Sequence, residues 1–60
     1  MFEWEAQDLK PGDEFTLDQG ASWHVILDVK HVDGDALPVK LTTLNDGVIQ
    51  LGWSRKVIVR

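Results

Sequence analysis

Wherever the apolar pattern of this chain is clear it repeats every second residue, the period of a β-strand with one covered face. Phe15 and Leu17 flank Thr16, and Trp23, Val25, Leu27 and Val29 share one parity. Leu37, Val39 and Leu41 alternate with Pro38, Lys40 and Thr42. Ile49, Leu51 and Trp53 share a parity, and Val57 and Val59 alternate with Lys56, Ile58 and Arg60. No stretch carries helical spacing.

Turn chemistry punctuates these runs at Lys10-Pro11-Gly12-Asp13, Asp18-Gln19-Gly20, Asp33-Gly34-Asp35 and Asn45-Asp46-Gly47. Gly and Asn reach positive φ at little cost, and Asp can bond its own backbone. Strands are therefore expected near 14–18, 22–32, 37–44, 48–53 and 56–60, with tight hairpins at Asp33-Gly34 and Asp46-Gly47. Pro38 cannot donate to a ladder, so an edge or a bulge is expected there. Consecutive short antiparallel strands form a meander, and closing it into a small five-stranded barrel hides most edges. Phe2 and Trp4 alternate with Glu3 and Glu5, so residues 1–9 are read as an N-terminal arm or a further short edge strand, with Leu9 anchoring the entry to the barrel.

At 60 residues and without cysteine, the chain is one domain near the lower size limit for a core without metal or disulfide staples. The lack of cysteine fits a reducing, cytoplasmic setting. No apolar run approaches the roughly 18 residues that span a bilayer, and the first residues are acidic where a signal peptide is basic, so no membrane partner is expected. The net charge of −4 opposes sequence-independent attraction to phosphate backbones. The charge is uneven: all 10 acids lie at or before Asp46, while Arg55, Lys56 and Arg60 crowd the C-terminal end.

The run Asp8-Leu9-Lys10-Pro11-Gly12-Asp13, then Trp23-His24-Val25 leading to Val29, a Gly-turn hairpin and a closing Val57-Ile58-Val59-Arg60, resembles small SH3-like barrels. The likeness is greatest to short accessory proteins of actinobacterial phages, mostly uncharacterised, and covers about residues 8–60. KOW- and Tudor-like barrels share the Leu-x-Pro-Gly-Asp opening, but no aromatic cage or basic loop of theirs can be placed on these residues. The resemblance implies an SH3-like fold and a phage-type origin, not an activity.

No grouping of residues points to a cofactor or catalysis. His24 and His31 stand seven apart, an odd spacing that puts them on opposite faces of a regular strand, so that only a bulge could bring them to one side. Asp33-Gly34-Asp35 opens like a calcium loop, but Leu44 stands where the twelfth-position Glu belongs. Ser22 and His24 share a parity, yet no third triad member and no Gly-x-Ser-x-Gly elbow accompany them. No catalytic, cofactor or metal residue is assigned.

Aromatic surplus is the stronger signal. Trp23 has core parity, leaving Trp4 and Trp53 as surface candidates, and Trp53 lies beside Arg55 and Lys56. Tryptophan and arginine together are enriched at protein-interface hot spots and also stack on single-stranded bases. Ile26, Val32 and Ile58 carry the outward parity, which suggests cover by the N-terminal arm or by a second subunit, hence a homodimer. The expected partner-binding residues are Trp4, Trp53, Arg55, Lys56 and Ile58. The expected role is a non-catalytic protein-interaction module that modulates a host protein, with nucleic-acid binding through the basic C-terminal segment as the alternative.

Overall fold

A computed structural model describes residues 1–60. The fold is all-β: β1 (Phe2–Glu5), a 3-10 turn at Ala6–Asp8, then β2 (Glu14–Thr16), β3 (His24–His31), β4 (Val39–Thr43), β5 (Val48–Leu51) and β6 (Lys56–Val59). All neighbours are antiparallel, in the order β1-β6-β2-β3-β4-β5. The alternating Phe2–Glu5 segment is the sixth strand, and every expected strand is present with trimmed ends.

The barrel is not closed. β1 and β5 end the strand order and do not pair with each other, so each keeps one free edge. The 3-10 turn carries the β1–β6 pairing on into the β5–β6 connection: Ala6 N–H donates to Arg55 O (2.8 Å) and Gln7 N–H to Trp53 O (3.1 Å).

One core lies inside the curled sheet. Phe15, Ile26, Val39, Leu41, Leu51, Val57 and Val59 are buried with Ala6 and Leu9, and Leu17, Val29 and Ile49 pack against them. Leu9 does anchor the segment that leads into β2.

The parity reading of β3 is overturned in its first half. A bulge sets Leu27 and Asp28 against the single Thr42 of β4, between the pairs Ile26–Thr43 and Val29–Leu41. Two residues opposing one reverse the alternation at that point. Ile26 is therefore buried at 1% exposure while Leu27 is 51% exposed. Trp23 and Val25 lie on the outer side, with Val25 opposite the half-buried Glu14. The bulge also falls where β3 changes neighbours, from β2 to β4, and so forms a corner of the sheet.

Neither expected tight hairpin forms. Seven residues, 32–38, connect β3 to β4, and four, 44–47, connect β4 to β5. In the first, Val32 N–H donates to Pro38 O (2.8 Å) and the Asp35 carboxylate accepts from Leu37 N–H (3.0 Å). In the second, Thr43 N–H and its hydroxyl both donate to Gly47 O (2.9 and 2.7 Å). Pro38 precedes β4 and leaves its ladder intact.

Candidate protein-interaction surface

The expected interface residues are divided among three places. Trp53 and Arg55 lie in the β5–β6 connection, where the Trp53 ring meets His31 edge-on at 5.0 Å. Trp4 sits on β1 opposite Val57, and Lys56 and Ile58 sit on β6 opposite Glu5 and Glu3. Trp4 and Trp53 are each about one-third exposed, at 36%. Ile58 is half-buried on the outer face, as its parity requires, between Glu3 and Thr16.

The basic segment is largely tied within the chain. Lys56 Nζ lies 3.5 Å from Glu5 Oε2. Arg60 grips Glu14 with Nε 3.2 Å from Oε1 and Nη2 2.8 Å from Oε2, and its guanidinium lies 4.2 Å over the Trp23 ring. The Arg60 bonds hold the Glu14 carboxyl below its usual range and raise the guanidinium pKa in return. Arg55 forms no ion pair; its Nε donates to Lys56 O at 3.4 Å.

The histidines are engaged elsewhere. The β3 bulge does return His24 and His31 to one face, since His24 opposes buried Phe15 and His31 opposes buried Val39. An offset of seven positions along the strand still separates them by about 20 Å. His24 Nδ1–H donates to Asp46 (2.6 Å) and its ring lies 5.2 Å from Phe15. Nowhere do three or more His, Cys, Asp or Glu side chains converge as a metal site would require. Ser22 precedes β3, and its N–H is bound by the Asp18 carboxylate (2.8 Å).

All three surface concavities border β1. One, of about 450 Å³, is lined by Trp4, Gln7, Asp8, Leu9 and Lys10. A second, of about 400 Å³, includes Phe2, Glu3, Trp23 and Ile58. The third, of about 220 Å³, adjoins it through Glu3, Thr16, Gln19 and Ile58. The outer wall is a built loop: the buried Thr16 hydroxyl accepts from Gly20 N–H (3.0 Å) and donates to Asp18 (2.7 Å). Gly20 takes the left-handed conformation that the loop needs, φ +96, and stands against the Trp23 indole, where a Cβ would make an ordinary contact at 3.8 Å. Thr16 and the Ser22 N–H together hold the Asp18 carboxyl below its usual range.

Sequence reasoning picked out Trp4 and Ile58 but missed Phe2 and Trp23 as surface residues. Phe2 was legible as an alternating edge residue. Trp23 was hidden by the bulge.

No protein-family model, curated protein or solved structure matches this chain. The SH3-like and phage-type resemblance therefore rests on the sequence pattern alone. No helix is long and apolar enough to cross a membrane.

Proposed function

We propose that this protein is a non-catalytic interaction module that docks another protein along β1. The observation that carries this reading is that every concavity on the surface borders that strand, whose outer edge is unpaired. Phe2 (66% exposed) and Trp4 stand on it as apolar contacts. Tryptophan that is one-third exposed beside a concavity is the kind of anchor that dominates interface energetics. In the phage-type setting that the resemblance implies, the partner is a host protein and docking modulates it.

The reading as a nucleic-acid binder is weaker, because Lys56 and Arg60 already face Glu5 and Glu14 and the net charge is −4. Homodimerisation through an apolar outer face loses one of its motives, since Ile26 is in the core.

Affinity capture on the immobilised protein, with and without nuclease, tests the proposal. A discrete protein that survives nuclease and is lost with Trp4→Ala supports it. Retention that disappears with nuclease contradicts it.

A further inference from the structure

The ladder geometry fixes which backbone groups of β1 are free. In an antiparallel ladder the N–H and C=O of one residue point to the same neighbour, and successive residues alternate. Arg60 N–H donates to Glu14 O (3.1 Å), so Arg60 and Ile58 address β2 while Val57 and Val59 address β1. Their partners Trp4 and Phe2 are thereby bonded, as is Ala6 through Arg55 O. Glu3 is left with its N–H and C=O directed away from the sheet, and Glu5 with its N–H, since the Glu5 carbonyl heads the 3-10 turn.

The side chains of the same strand are sorted by face. Phe2 and Trp4 share the face of Val59 and Val57, and Glu3 and Glu5 share the face of Ile58 and Lys56. Glu3 has no ion-pair partner in the chain, while the Glu5 carboxylate accepts from the Gln7 side-chain amide and lies 3.5 Å from Lys56 Nζ. β6 already shows what complements this strand: Lys56-Val57-Ile58-Val59-Arg60 sets aliphatic residues beside the aromatics and a cation beside Glu5.

We infer that the partner supplies an extended segment of alternating aliphatic and basic residues, which adds to the free edge of β1 as a further strand. This rests on the interaction-module reading above and names its partner's chemistry. The N–H and C=O of Glu3 and the N–H of Glu5 supply the ladder, and the Glu3 carboxylate, which has no cation of its own, receives a Lys or Arg side chain on the outer face. Aliphatic side chains on the other face lie along Phe2 and Trp4, with the concavity beside Trp4 as their room. The other free edge, β5, presents Val48 and Gln50 and bears no charge, so it does not select for a basic strand.

The test is amide exchange by NMR of the full chain with two synthetic peptides, a blocked Lys-Val heptamer (KVKVKVK) and its Glu-Val counterpart (EVEVEVE). Slowed exchange at Glu3 and Glu5 with the Lys-Val peptide alone is expected, with a preference of about tenfold or more over Glu-Val. Glu3→Lys, which leaves the Glu5–Lys56 contact in place, should shrink or invert that preference. Peptide binding that slows Val48 and Gln50 instead overturns the β1 assignment but leaves an interaction module standing. Equal binding of both peptides at β1 overturns the charge selectivity, and no perturbation by either overturns the inference; absence of any captured protein in the nuclease experiment separately overturns the module reading.

Discussion

Arg60 closes a two-pronged ion pair on Glu14, with Nη2 2.8 Å from Oε2, and thereby joins the end of β6 to the start of β2. The same guanidinium covers one face of Trp23. A residue that charge distribution alone marks as a free cation is thus a structural clamp.

That clamp bears on nucleic acid. With Arg60 and Lys56 both facing carboxylates, Arg55 is the remaining C-terminal cation without one. A gel-shift with a single-stranded 20-mer at low salt should show no complex. An affinity falling steeply as salt rises would contradict this, because it reports counterions released from phosphate.

Acid sensitivity follows from the same geometry. The carboxyls of Glu14, Glu5, Asp18 and Asp35 are all held below their usual range, by Arg60, by the Gln7 side chain, by Thr16 and by Leu37 N–H respectively. Groups with depressed folded pKa values contribute their full stability above the unfolded carboxylate range and lose it as pH falls through the folded values. Denaturant midpoints should therefore hold near neutral pH and decline below about pH 4. Glu14→Gln should make the decline shallower; a midpoint that rises on acidification would refute the assignment.

The β3 bulge predicts opposite tolerance at adjacent residues. Ile26→Val should cost about 1 kcal/mol through lost core packing, and Ile26→Ala about 2–4 kcal/mol, most of the stability available to so small a domain. Leu27→Thr should change stability by under about 0.5 kcal/mol, as outward substitutions do. Urea unfolding of the variants decides, and a Leu27 cost larger than that of Ile26→Val would mean the register is wrong.

Much of this fold was readable from residue spacing, and the exceptions have physical causes. Val57, Val59, Val39 and Leu41 are buried where two-residue alternation puts them, and Pro11-Gly12 turns with Gly12 at φ +94. The inversion at Leu27 was not readable, because the bulge pair Leu27-Asp28 carries no glycine or proline to mark it. The same inversion placed Trp23 in the core and Ile26 outside, the reverse of their positions. Asp33-Gly34 and Asp46-Gly47 do turn the chain, but side-chain bonds from Asp35 and Thr43 stabilise longer loops than the dipeptides suggest. Trp4 and Ile58 were legible as surface residues; that β1 borders all three concavities depends on strand order and lay beyond spacing.

Thr16 is the post on which the outer wall of the groove hangs. Its hydroxyl, 2% exposed as part of the residue, serves Asp18 and Gly20. Thr16→Val keeps the shape and removes those bonds, so a loss of about 1–3 kcal/mol is expected. Faster amide exchange at Gly20 should accompany it, and Thr16→Ser should restore protection. An unchanged Gly20 rate in the valine variant would show that the hydroxyl does not hold the loop.

Amide exchange at Glu3 and Glu5 in the free chain, and then with the captured partner, bears most directly on docking at β1. Fast exchange at both residues in the free chain, beside slow exchange at Trp4 and Ala6, is predicted, with protection of Glu3 and Glu5 appearing on binding. Protection already present in the free chain, or none gained in the complex, would contradict docking at this edge.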